Sequence, residues 1–236
     1  MAERFWEIDA LRGIAIIPMI AFHALFDLQY LKGISFGLSP HFWFLVPRAI
    51  ASVFILLVGI SLAISSARLQ TPEPKKFLKR GLKIFAYGLV ITAVTGLLFP
   101  QQTILFGILH FIGLSIALSV PALQWKFRAL ALALPIIAIG SFLQGLSFGF
   151  PWLLWLGLKP AFFASFDYFP LLPWFGLVLA GIALGNRLYP NTKRAFAIAE
   201  LGNKPIVKQL SFLGRHSLKI YFLHQPALVA AILLLP

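Results

Sequence analysis

The residues able to do chemistry are few, and most of them interrupt apolar runs. His23 and Asp27 lie four apart in IAIIPMIAFHALFDL, which puts them on one face of a helix. A carboxylate beside an imidazole selects its tautomer and raises its basicity, the base-plus-orienter arrangement used in acyl transfer. The alternative is a hydrogen-bonded pair that only ties helices together. Keeping two ionisable groups in an apolar segment is costly without a use for them, which favours function. His110 in GILHFIG, His224 in YFLHQP and Asp167 in SFDYFP interrupt, or adjoin, other apolar runs in the same way. Nearer the N-terminus, Asp9 and Arg12 are three apart and able to pair along a helix as an anchor. Arg12, followed by Gly13, could instead meet a phosphate.

The elements that must position these groups are membrane helices. The chain of 236 residues is 60% hydrophobic and 11% charged, with a mean hydropathy of +0.90. Soluble domains are about 45–50% apolar and 25% charged, so the composition is that of an integral membrane protein. At about 20 apolar residues per crossing, seven spans are expected: 10–31, 42–66, 82–99, 104–123, 127–146, 169–187 and 213–235. The fold class expected is an all-α bundle forming a single domain over 1–236. Residues 148–163, aromatic and broken by Pro151 and Pro160, read as a re-entrant or interfacial segment, and 191–212 as short interfacial helices. Pro18 is expected to kink the first span. The acidic Glu7 and Asp9 among the early arginines argue against a cleaved signal peptide.

Charge orients the bundle. With a cytoplasmic N-terminus, all but three of the 20 Lys and Arg, namely Lys32, Arg48 and Lys159, fall on the inner side, Lys126 included. An odd number of spans then leaves Pro236 outside. The inner loops 68–83, with TPEPKKFLKR, and 186–215 suit anionic headgroups, or alternatively a polyanionic ligand. On this topology His23 lies about 20 Å into the first span at 1.5 Å per residue. His23, Asp27, His110 and Asp167 then share an outer layer with His224 somewhat deeper, and His41 lies on the outer loop before span two.

Several classes drop out. The net charge of +13 is explained by topology and lipid contact, so nucleic acid is not an expected partner. No cysteine is present, which removes disulfides, thiolate metal sites and cysteine nucleophiles. No HExxH, GxSxG, P-loop or dinucleotide fingerprint occurs, and no metal is expected. Gly181 and Gly185, four apart, and Gly59 with Ala63 suit close helix packing within the chain more than a homodimer face, though a homodimer stays open. A proton-coupled transporter or channel built on the same His and Asp residues is the alternative class; no repeat symmetry supports it.

Five segments, RFWEIDALRGIAIIPMIAFHALFDL, VFILLVGISLAIS, GILHFIGLS, DYFPLLPWFGLVLAGIALG and LGRHSLKIYFLHQP, occur in order over about residues 4–226. Together they resemble the short prokaryotic members of the heparan-α-glucosaminide N-acetyltransferase catalytic-domain family, within a wider superfamily of membrane acyltransferases. The resemblance implies that an acetyl group passes from cytoplasmic acetyl-CoA, a cosubstrate, to an amino-sugar or glycan acceptor on the far side of the cell membrane. It implies Asp9, Arg12, Lys79 and Arg80 for CoA, and His110, Asp167, Trp174 and His224 for the acceptor. His23 is the expected base or acetyl carrier, oriented by Asp27. In the lysosomal relative the reactive histidine lies in the first outer loop, so His41 remains a second candidate. An enzyme that acylates a lipid or surface glycan would share the donor side.

Overall fold

The computed structural model describes residues 4–69, 73–125 and 127–235. Lys126, Pro236 and residues 70–72 of the first basic loop, all assigned a side above, lie outside the described residues. Among the described residues the regular structure is helical. The α-helices are α1 (Trp6–Lys32), α2 (Pro40–Ala67), α3 (Pro74–Leu98), α4 (Ile108–Leu118), α5 (Arg128–Leu143), α6 (Leu171–Leu188), α7 (Pro205–Arg215) and α8 (Ser217–Leu233). All but α7 coincide with the seven expected spans.

Four of them, α1, α2, α3 and α6, are long and apolar enough to cross a membrane. The other three apolar helices are shorter. Helix α4 has 11 residues, about 16 Å of rise against a hydrocarbon core of about 30 Å, so it reaches only part-way. The run 104–123 looked span-length because its apolar flanks continue in turns. The chain is an all-α membrane protein.

The chain divides into two units. One comprises Met1–Phe54 with Ile198–Pro236, the other Ile55–Ala197, and the boundary falls inside α2.

In the first unit α1 runs unbroken through Pro18. Glu7 and Asp9 in its first turn and Lys32 in its last complement the helix dipole. It stops at Gly33, whose φ of 69° lets its N–H return to the Gln29 carbonyl. Helix α8 lies beside α1 and runs the same way: Gln225 meets Asp27, and the Lys32 ammonium donates to the Leu235 carbonyl at 2.7 Å. Two parallel neighbours imply an odd number of crossings between them, in keeping with an odd total. The interfacial stretch contains a short 3-10 helix, Pro190–Thr192, and α7, joined by the irregular residues 193–204.

In the second unit α3 packs on α4 and α5 on α6. Small residues permit both approaches. A Cβ at Gly113 would meet the Phe85 and Gly81 backbone, and one at Gly176 would meet Ile137 and the Ala133 carbonyl. Gly59 and Gly181 also face each other, and Gly185 meets Ile60 and Ala63. The small-residue stripe is therefore consumed inside the chain. Residues 148–163 form turns and no helix, held by a bond from the Phe148 N–H to the Lys159 carbonyl. The half-buried Tyr168 hydroxyl donates to the Leu154 carbonyl at 2.7 Å, and desolvation pushes its pKa well above the usual tyrosine value.

Candidate active site

The first unit gathers four polar side chains from α1 and α8. The His23 and His224 rings meet edge to face with centroids 4.7 Å apart. His23 Nδ1 lies 2.8 Å from the Met19 carbonyl, and His224 Nδ1 lies 2.7 Å from that of Tyr221. A carbonyl can only accept, so each Nδ1 carries the proton and each Nε2 keeps its lone pair. Two imidazoles thus sit together with their basic nitrogens uncommitted. His224 is 8% exposed, and its Nε2 is buried with no hydrogen-bond partner.

Asp27, 3% exposed, lies one turn beyond His23. The expected carboxylate–imidazole bond is not formed. Gln225 donates to both Asp27 oxygens, at 2.8 and 3.0 Å, while His23 turns its Nδ1 back to its own helix. Asp27 therefore acts on His224 through charge, and on His23 through the α1–α8 clamp. His224 is level with His23 rather than deeper. The reason is helix α7, which occupies the first turns of the space beside α1 and starts α8 part-way along it.

That offset is set at a tight crossing. A Cβ on Gly13 would fall on the Leu210 carbonyl, and one on Gly214 on the Asp9 carbonyl. The Ser211 hydroxyl donates to the Trp6 carbonyl at 3.3 Å. Beside the crossing, Arg12 donates to Asp9 at 2.9 Å, and Arg4 lies 4.0 Å from the other Asp9 oxygen. Asp9 is buried and Arg12 half-buried, so the pair anchors the helix start.

In the second unit His110, 1% exposed, has both ring nitrogens engaged. Its Nδ1 accepts from the Gly107 N–H at 3.2 Å. Its Nε2–H then faces the Thr92 hydroxyl oxygen at 3.2 Å, and that hydroxyl donates to the Ile104 carbonyl at 2.6 Å. Its tautomer is therefore opposite to that of His23 and His224. Phe85 meets the ring edge-on and Phe106 stacks on it, and Gly88 leaves the space the ring fills. Asp167 accepts from the Ile108 N–H at 2.8 Å. Asp167 and His110 together cap the start of α4, whose N-cap residue Gly107 has no side chain to do so.

Trp174 is buried beside Phe169, with rings 4.8 Å apart. Lys79 and Arg80 are exposed on the basic first turns of α3. His41 is exposed in the first turn of α2 and makes no hydrogen bond or ring contact among the described residues. Among those residues, no three His, Cys, Asp or Glu side chains group as metal ligands.

Two participants went unnoticed in the sequence. Gln225 was visible as a lone amide next to His224 in an apolar helix. Thr92 carried no signal, because a threonine in a membrane helix usually bonds its own preceding turn.

The apolar helices and the histidine–carboxylate cluster between α1 and α8 define a membrane protein with ionisable side chains gathered inside it. The family model described as heparan-alpha-glucosaminide N-acetyltransferase, catalytic, matches residues 4–226. The chain belongs to this family and is a transmembrane N-acetyltransferase. Neither the curated proteins nor the solved structures yielded a match.

Proposed function

We propose that the protein transfers an acetyl group from cytoplasmic acetyl-CoA to an amino-sugar or glycan acceptor on the outer side of the cell membrane, as a multi-pass enzyme with its N-terminus inside. The observation that carries this is the His23–His224 pair, two imidazoles with free Nε2 atoms in a chain of an acetyltransferase family. His23 is the chemical residue, and His41 is the competing candidate.

Two orders of events are compatible with a free Nε2. As a base, His23 takes the proton of the acceptor amine while the amine nitrogen attacks the thioester carbonyl. The new C–N bond replaces the C–S bond, and CoA leaves as thiolate to be reprotonated. As a nucleophile, His23 Nε2 attacks first and CoA thiolate leaves. The amine then displaces the imidazole and loses its proton to it. In both, the negative charge of Asp27 favours the cationic imidazole that forms. Arg12, Lys79 and Arg80 are proposed to hold CoA phosphates, Asp9 holding Arg12 in place. His110, Asp167, Trp174 and His224 are proposed for the acceptor side, His110 and Asp167 acting through the start of α4. Membrane lipids contact the exposed apolar helix faces.

The test is acetyl transfer to glucosamine by purified protein in lipid nanodiscs. CoA should stabilise the wild type thermally, and His23→Ala should lose transfer while keeping that stabilisation. Full activity in folded His23→Ala with loss in His41→Ala would move the chemistry to His41. CoA-independent flux through liposomes in place of transfer would make the protein a transporter.

A further inference from the structure

Helices α5 and α6 pack antiparallel. Gly140 of α5 abuts Leu172 and Pro173 at the start of α6, and Ala133 and Ile137 abut Gly176 further along. The first turn of α5 therefore lies beside the later turns of α6. A cavity of about 410 Å³ opens there, walled by Leu56 of α2, Phe127 and Leu130 at the start of α5, and Ala180, Ala183 and Leu184 of α6. That volume falls in the range of about 300–1,000 Å³ for small-molecule sites. Ala183 is buried, while Phe127 and Leu184 are exposed, so the cavity is open at its side.

Arg187 completes the lining and is exposed. Its guanidinium makes no hydrogen bond or ion pair among the described residues, and no carboxylate lines the cavity. An apolar trench thus runs about 10 Å, at 1.5 Å per residue, from Ala180 to an uncommitted cation. Apolar walls without partner atoms forfeit dispersion contacts that a chain of methylenes restores. A guanidinium pairs with phosphate through parallel N–H donors. Trp125, 43% exposed just before α5, marks this end as the level of lipid headgroups, where tryptophans concentrate.

We propose that this groove binds one anionic phospholipid, its acyl chain along Leu184 and Ala180 and its phosphate on Arg187. Basic clefts between membrane helices take anionic headgroups in this way. A zwitterionic lipid brings its own cation to the phosphate and so gains less from Arg187. The site shares no residue with the His23–His224 cluster. Placing the lipid in the inner leaflet rests on the proposed topology; the binding itself does not.

The experiment titrates phosphatidylglycerol into phosphatidylcholine nanodiscs and follows the thermal midpoint, which rises as a ligand of the folded state fills its site. Each rise is taken from the variant's own midpoint in phosphatidylcholine, so changes in intrinsic stability cancel. Arg187→Gln is expected to need about fivefold more phosphatidylglycerol for the same rise, the share of one basic residue. Ala180→Trp fills the trench, keeps the cation and should lose the rise. Lys193→Gln, an exposed cation of the same unit outside the cavity, should keep it. No acetyl transfer enters this test, so its failure and that of the enzymatic reading are separate results.

Equal losses in Arg187→Gln and Lys193→Gln would mean diffuse attraction to a basic chain and would overturn the site. A rise kept in Ala180→Trp, or one given in full by glycerol phosphate without an acyl chain, would overturn the place of the chain. Should Ala180→Trp fail to fold, native mass spectrometry decides. One phosphatidylglycerol retained in detergent by wild type and lost in Arg187→Gln supports the site, and none retained by wild type overturns it.

Discussion

The edge-to-face contact of His23 with His224, ring centroids 4.7 Å apart, joins the first and last apolar helices through two residues 201 apart in sequence (224 less 23). Each ring is held by a backbone carbonyl at Nδ1. Each therefore presents the same nitrogen, Nε2, for reaction.

Removing the reactive imidazole should cost general-base or nucleophilic catalysis. His23→Ala is expected to lower kcat for acetyl transfer about 10²-fold or more, with CoA binding kept. His41→Ala should fall by less than about threefold, well short of a lost catalytic group. Steady-state kinetics on folded, CoA-binding variants checks both. Reversal of the two results would place the chemistry at the start of α2.

The α1–α7 crossing leaves no room for side chains. Gly13→Ala and Gly214→Ala would each press a methyl group into a partner's carbonyl. Each is expected to destabilise by about 1–3 kcal/mol, read as a lower midpoint of thermal unfolding in detergent. Gly149→Ala meets nothing within 4 Å and serves as the control that should not move.

Capping of α4 predicts a stability effect separate from chemistry. Asp167→Ala removes the acceptor of the Ile108 N–H and should cost about 1 kcal/mol. Thr92→Val strips the acceptor from the His110 Nε2–H, and a buried unmet donor costs about 1–3 kcal/mol. Chemical denaturation of both variants measures this. Unchanged stability with lost transfer would instead put Asp167 in direct contact with acceptor.

Sidedness can be read by labelling, since the chain has no cysteine of its own. Gln209→Cys on α7 should react with a membrane-impermeant maleimide only in inside-out vesicles. Gly149→Cys should react in intact cells. The opposite pattern would invert the proposed topology.

Much of this was legible in residue order alone, for reasons that lie in the bilayer. A crossing needs about 20 apolar residues, so the apolar helices and the all-α class follow from run lengths, while which helices are long enough to cross does not. Charged groups are costly in such runs, which singled out His23, Asp27, His110 and His224 before any fold was known. Periodicity also put His23 and Asp27 on one face, but hydrogen-bond partners are not periodic. Whether a carboxylate meets the imidazole beside it or an amide from another helix depends on that helix's register.

That register is tertiary. The Gly13–Gly214 crossing lets α7 lie flush on α1, and this starts α8 where His224 comes level with His23 and Gln225 with Asp27. The same reasoning divides the histidines. In the sequence His110 and His224 are equivalent, each a lone imidazole in an apolar run. Packing gives His110 a backbone N–H and a threonine, so both its nitrogens are used, and it leaves His224 Nε2 bare. Residue order determined which groups would be buried in an apolar bundle; only the contacts between distant helices decided which of them were left free to act.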